Sequence, residues 1–129
     1  MKRVVLSLAV LLVLFGAVAA SAGEEHKAHK MEPQKVTLTG EVLDMYCFMN
    51  HPDTGMGDGH AKCAQSCINK GLPIGFLSDG VVYLIIGKDH EPASELVAEF
   101  AGAQSEITGT LVEHHGVKAI EIASIKAKS

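Results

Sequence analysis

The sequence has few aromatic and few basic side chains. It contains no tryptophan, two tyrosines and four phenylalanines, and its 15 acidic residues outnumber its 11 lysines and arginines. Nucleic-acid binding needs clustered basic residues for the phosphate backbone and aromatic rings for base stacking. The composition therefore predicts a protein without a nucleic-acid partner.

The sequence also lacks an apolar segment long enough to stay in a membrane. Its apolar run, residues 4–18, follows the positive start MKR and is shorter than the roughly 20 residues that span a bilayer. The small-residue site ASA at 20–22 completes the pattern of a secretory signal peptide, residues 1–22. No cysteine stands at the cleavage point, so we expect no lipid anchor, no stable membrane anchor, and a periplasmic or secreted location.

Residues 23–34, GEEHKAHKMEPQ, are polar and show no periodicity. This composition predicts a disordered, histidine-containing leader, in which His26 and His29 are solvated. A chain of this length builds one modest core. We therefore expect one domain, residues 35–127.

Only three cysteines are present, all within the stretch YCFMNHPDTGMGDGHAKCAQSC at 46–67. Their spacing lacks the Cys-x₂-Cys-His of a c-type haem, since Ile68 follows Cys67, and also the Cys-x₂-Cys of a thioredoxin motif. A cysteine nucleophile would have His60 or His51 as its base, but no third orienting residue or oxyanion loop is evident. The sequence thus favours a protein that is not an enzyme.

Alternating apolar residues predict five strands. The first is KVTLTGEVLDMYC, with a bulge or bend at Gly40 and Cys47 at its end. Segments 72–77 and 81–87 flank Asp79-Gly80, which predicts a tight antiparallel hairpin. SEITGTLVE and VKAIEIASI flank the turn at 114–116, a second predicted hairpin.

The segment EPASELVAEFAG at 91–102 predicts a helix between the third and fourth strands. It starts at Pro92 and has one apolar stripe: Ala93, Leu96, Val97 and Phe100. This element order predicts a mainly β fold, a small five-stranded OB-like Greek-key barrel. The connection between its first two strands contains the cysteine-rich insertion, residues 47–71, and OB-folds bind ligands in such loops.

The second half of this insertion predicts a cysteine-bearing helix over about residues 59–70. Asp58 is its expected N-cap and Gly71 its C-terminal stop. At 100° per residue, His60, Cys63 and Cys67 fall within about 60° of one another. These three side chains therefore share one helical face.

Several uses of the cysteines remain open. Cys63 and Cys67 can be small buried residues on a core stripe with Ala64 and Ile68. In an oxidising compartment Cys47 can form a disulfide with either of them, which would stabilise a binding module of another purpose by roughly 3 kcal/mol. A thiol of low pKa would indicate a thiol redox protein.

A metal site is the use that spacing and compartment favour. Cys47, Cys63 and Cys67 with one imidazole suit tetrahedral Zn²⁺, and soft thiolates also suit Cu(I). His60, one turn before Cys63, is the first candidate imidazole, and His51 is the second. Nearby methionines tilt the choice toward copper: Met45, Met49 and Met56. We expect a soft-metal-binding protein, using Cu(I) or Zn²⁺, that handles or delivers metal to an extracytoplasmic receiving protein.

The motifs TLTGEVLDMYCFMNHP, GHAKCAQSCINKGLPIGFL, VYLIIGKDHEP and ITGTLVEHHGVKAIEI together resemble a group of small exported bacterial proteins of unassigned function. In that group a Cys, a Gly-His-x₂-Cys-x₃-Cys helix and a Gly-x-Pro-x-Gly strand recur on an OB-like barrel. The resemblance covers residues 37–125 and implies fold and export. The Cys63-x₃-Cys67 pair is also similar to the dithiol of Sco-type copper chaperones and of binuclear copper centres in respiratory oxidases. That likeness implies copper-ligand chemistry at these two residues.

Overall fold

The protein is mainly β, as the alternating pattern predicts. The computed structural model describes residues 32–128, so the predicted signal peptide and residues 23–31 of the predicted leader lie outside the described range. Five strands form the sheet: β1 Gln34–Asp44, β2 Ile74–Ser78, β3 Val81–Ile86, β4 Gln104–His114 and β5 Val117–Ala127. Among residues 32–128, no helix has the length and apolar character needed to cross a bilayer.

The five strands close into a ring in the order β1-β2-β3-β5-β4, and β4 pairs back onto β1. Four of these pairings are antiparallel, while β3 and β5 run parallel. β1 pairs with two strands: residues 34–41 pair with β4, and residues 41–44 pair with β2. Gly40 stands at this change of partner, where an added Cβ would collide with the carbonyl oxygen of Leu77. The ring therefore depends on a glycine where β1 leaves β4 for β2.

Two tight turns join consecutive antiparallel strands. Asp79 and Gly80, between β2 and β3, have φ values of 48° and 77°. His115 and Gly116, between β4 and β5, have φ values of 50° and 81°. Positive φ at both central residues is the backbone of a type I′ turn, whose twist matches that of paired strands. Both hairpins expected from the sequence are confirmed.

The connection between β1 and β2 contains two helices, α1 Met45–Asn50 and α2 Ala61–Asn69. The expectation that Cys47 ends a strand is wrong, because β1 ends at Asp44 and Cys47 lies in α1. α2 falls inside the expected range of 59–70 and is followed by Gly71 at φ 88°. Asp58 is not its N-cap: His60 holds that position, and Asp58 belongs to the preceding turn.

The chain between β3 and β4 forms a shorter helix than the pattern predicts. Helix α3 spans Ser94–Val97 and continues as a 3₁₀ turn, Ala98–Phe100. Pro92 precedes the N-cap residue Ala93 instead of starting the helix. Leu96, expected on the buried stripe, is 47% exposed, while Ala98 and Ala101 are buried. The 3₁₀ turn, which follows Leu96, contains the buried Ala98.

The apolar core lies inside the ring and under α2 and α3. It combines strand residues such as Phe76, Ile107 and Ile120 with Ala64 and Ile68 of α2. These strand side chains and Ile68 are fully buried. Since α2 contributes to this core, the cysteine-rich insertion is packed onto the ring and does not project from it.

Candidate metal centre

Cys47 is positioned by a cap at the start of α1. Asp44, the last residue of β1, is the N-cap, and its Oδ1 accepts a hydrogen bond of 2.9 Å from the Cys47 N–H. Asp44 is fully buried and Cys47 is only 7% exposed. A buried carboxylate needs hydrogen-bond donors, and the α1 backbone supplies one. The cap therefore fixes Cys47 relative to the end of β1.

Helix α2 is anchored by neighbours of its cysteines. Ala64 and Ile68 enter the apolar core, whereas Cys63 is exposed and Cys67 is half-buried. All three cysteines lie in the described range, and none belongs to that core cluster. Core packing therefore does not account for the cysteines of α2.

The loop before α2 is fixed against β1 and against the chain entering β4. The Gly57 N–H donates a hydrogen bond to Oε1 of Glu41, a buried carboxylate of β1. Gly102, at φ 74°, lies so close that an added Cβ would be 2.7 Å from the Gly57 carbonyl oxygen and 2.8 Å from Ala61 Cα. A side chain at Gly102 would push the start of α2 away from the ring.

Five side chains from β1, α1, the turn before α2 and α2 itself form two overlapping groups. In each group the candidate ligand atoms lie within 4.8 Å of one another. One group is Cys47, His60 and Cys63, and the other is Asp44, Cys47 and Cys67. Zinc bonds of 2.0–2.3 Å in a tetrahedron place ligand atoms roughly 3.3–3.8 Å apart. Side-chain shifts of about an ångström would thus close either group on an ion.

Asp44 also holds His60. Its Oδ2 lies 3.2 Å from Nε2 of the mostly buried imidazole. When Nε2 carries the proton and donates it to Asp44, Nδ1 keeps its lone pair for a metal ion. A carboxylate that accepts from the second nitrogen is the usual support of a histidine ligand. The Asp44–His60 pair has the form of such a support.

Two of the thiols hold their protons strongly. Burial raises the pKa of Cys47 from 9.0 to about 12, with a further contribution from the neighbouring Asp44 carboxylate. Burial also raises the pKa of Cys67, followed by the effects of Asp44 and then Cys63. A bound metal would have to displace these protons. An attacking redox thiol needs a lowered pKa instead, so neither Cys47 nor Cys67 has that character.

The remaining candidates from the sequence lie outside both groups. His51 is exposed at the end of α1, and its backbone N–H donates to the Cys47 carbonyl oxygen at 2.8 Å. Met49 and Met56 are exposed, and Met45 packs against Gly75 of β2. The structure therefore brings Cys47, Cys63, Cys67 and His60 together, and it does not place His51 among them.

Sequence reasoning missed Asp44, whose carboxylate accepts from the Cys47 N–H and lies at hydrogen-bond distance from His60 Nε2. A signal was available, because an aspartate three residues before Cys47 has the spacing of an N-cap side chain to the N3 residue whose backbone N–H donates to it. The neighbouring apolar pair Val42-Leu43 instead predicts that the first strand continues to Cys47. Glu41 was also missed, because the strand pattern does not show that this carboxylate is buried.

Comparison of the chain with protein-family models, curated proteins and solved structures finds no match. The chemistry of the site is therefore inferred from its own ligand atoms. Three sulfur atoms, one imidazole and one carboxylate form a donor set suited to soft or borderline metal cations.

Proposed function

We propose that this protein binds one soft metal ion, Cu(I) or Zn²⁺, through Cys47, Cys63 and Cys67, with His60 as the fourth ligand. The observation that carries the proposal is that Cys47 belongs to both ligand groups. One ion beside Cys47 is therefore within reach of donors from both. Thiolate softness favours Cu(I), while a Cys₃His set equally suits tetrahedral Zn²⁺.

The fold we propose is an OB-like Greek-key barrel. Support comes from the ring order β1-β2-β3-β5-β4, the parallel β3–β5 pair, and the long connection between β1 and β2. OB-folds use that connection for ligands. The cysteine-rich insertion occupies the same connection, so the proposed fold and the proposed site agree.

Export is the third part of the proposal. Cleavage after residue 22 would release a protein that begins near Gly23 into the periplasm or the medium, where it would handle metal and deliver it to a receiving protein. The intact mass of the exported product tests this part. A mass that retains residues 1–22 would contradict it.

Metal titration of the reduced protein tests the site. We expect one Cu(I) or Zn²⁺ per chain, measured by competition with a chromophoric chelator. Replacing Cys63 and Cys67 together by serine should abolish binding, because serine is a poor ligand for soft ions. The matched control is His26→Ala with His29→Ala, which should leave binding unchanged. Unaltered Cu(I) affinity in the double serine variant would contradict the proposal.

A disulfide staple is the second candidate, because the sulfur of Cys47 lies within 4.8 Å of those of both Cys63 and Cys67. Small side-chain movements would allow a bond of about 2.05 Å with either partner. Removing a metal with a chelator should destabilise a metal protein. Reductant should instead destabilise a stapled protein by roughly 2–4 kcal/mol, or several degrees in Tm. Thermal unfolding with each reagent separately distinguishes the two.

A further inference from the structure

The three thiols of the proposed site differ in their access to solvent. Cys47 is 7% exposed, Cys67 is half-buried and Cys63 is exposed. A ligand from another molecule can reach a bound ion only through the side that faces solvent. The exposed side of this cluster is the side of Cys63.

The thiols also differ in how firmly the chain holds them. The Asp44 cap fixes Cys47 through its backbone N–H. The carbonyl oxygen of Cys67 accepts from the Lys70 and Leu72 N–H groups, at 3.1 Å and 3.2 Å, where α2 ends. Cys67 also precedes the fully buried Ile68. Cys63 lies in the first turn of α2 between the exposed Lys62 and the buried Ala64, and its own side chain is exposed, so it can leave an ion by rotating into solvent.

We propose that Cys63 is the exchange ligand, the one that a receiving protein replaces when it takes the metal. The inference rests on the proposed function. A thiolate of the receiving protein forms a bond to the ion, the bond from the ion to Cys63 Sγ breaks, and Cys63 takes up a proton from water. The oxidation state of the metal does not change, so the step needs no oxidant or reductant.

The chemistry of the partner follows from this step. Cys47 and Cys67 keep hold of the ion while Cys63 leaves, so the incoming donor completes a set of three sulfur ligands. A soft thiolate maintains the preference of Cu(I) for sulfur during transfer, whereas a carboxylate would not. The receiving site is therefore a solvent-exposed cysteine of another protein.

Two single variants test the order of exchange. Cys63→Ser should still bind one Cu(I) and leave an open, accessible position on the ion. With one equivalent of glutathione as the thiolate probe, native mass spectrometry should show a protein–Cu(I)–glutathione adduct as the main species. The matched variant Cys67→Ser opens a position on the buried side and should form at least several-fold less adduct. The wild-type chain should form little, because Cys63 competes.

The outcomes separate the exchange role of Cys63 from the metal site itself. Equal or greater capture of glutathione by Cys67→Ser would overturn the exchange role of Cys63 and leave the metal site standing. Loss of Cu(I) binding in Cys63→Ser alone would also overturn it, because Cys47 and Cys67 would then be unable to retain the ion. Absence of Cu(I) binding by the wild-type protein would overturn this inference, and absence of both Cu(I) and Zn²⁺ binding would overturn the proposed function as well.

Discussion

The strand ring and the cysteine-rich insertion are held in place by different interactions. The ring encloses an apolar interior in which Phe76, Ile107 and Ile120 are fully buried. The insertion contributes Ala64 and Ile68 to that core, and two buried carboxylates of β1, Glu41 and Asp44, bind its backbone. The stability of the fold and the geometry of the site therefore depend largely on separate residues.

The largest effect should come from the ring. Phe76→Ala removes the largest fully buried side chain among residues 32–128 and should lower the free energy of unfolding by about 3–5 kcal/mol, because a cavity remains in the core. Urea unfolding of the metal-free protein measures this loss. The control is Tyr46→Ala in α1. The tyrosine is 59% exposed, so this substitution should change the free energy of unfolding by no more than about 0.5 kcal/mol. Similar losses for both variants would show that the two regions do not differ as described.

Asp44→Asn should have a smaller effect on stability than Phe76→Ala but a large effect on metal affinity. Asparagine still offers an oxygen to the Cys47 N–H, but its amide donates to His60 Nε2, so the imidazole proton moves to Nδ1. We expect the Zn²⁺ affinity to fall about 10–100-fold, as for other changes to groups that support a ligand. Asp44→Ala should lose the cap as well, at a cost of about 1 kcal/mol.

Zn²⁺ competition with a chromophoric chelator and urea unfolding measure both Asp44 variants. Cu(I), held mainly by sulfur, should be affected less than Zn²⁺. If Asp44→Asn binds Zn²⁺ as well as the wild-type protein does, His60 does not bind the ion through Nδ1.

The smallest effect should come from an ion pair on the ring surface. Lys126 Nζ lies 2.8 Å from Glu106 Oε1, and this hydrogen bond lowers the pKa of Glu106 below its ordinary value of 4.5. A lowered folded pKa stabilises the protein above 4.5 and ceases to do so as the pH falls through the folded value. Lys126→Gln should therefore lower Tm slightly at neutral pH, and the difference from wild type should disappear in acid.

Salt should also reduce the effect of Lys126→Gln, because both partners are accessible to solvent. Thermal unfolding from neutral to acidic pH checks the sign. A difference that grows in acid would contradict it. Metal affinity should not change, since the pair belongs to the ring alone.

Much of the ring could be predicted because its determinants are local. Alternation of apolar side chains identifies strands, and Asp79-Gly80 carries the positive φ that its turn requires. The α1 and α3 segments were harder, because short helices depend on tertiary contacts more than on periodicity. Val42-Leu43 favours a strand that continues, whereas in the structure Asp44 ends β1 and caps α1.

Only the part of the site that local geometry determines could be predicted. The shared face of His60, Cys63 and Cys67 follows from helical geometry, which a sequence contains. The approach of Cys47 to that face depends on how α1 packs, which spacing alone does not determine. The support of His60 by Asp44 joins residues 16 positions apart, and no local pattern predicts such a pair.

The pairing of β1 with β4 has a consequence for the order of events during folding. The hydroxyls of Thr37 and Thr108 lie 3.2 Å apart although 71 positions separate them, and every proposed metal ligand lies in the chain between. Folds dominated by such distant pairings form in milliseconds to seconds, far more slowly than single helices. During that interval the three thiols belong to a chain without a finished site. The presence of metal while the chain folds, and not only afterwards, will therefore decide whether the cysteines first bind an ion or first form a disulfide with one another.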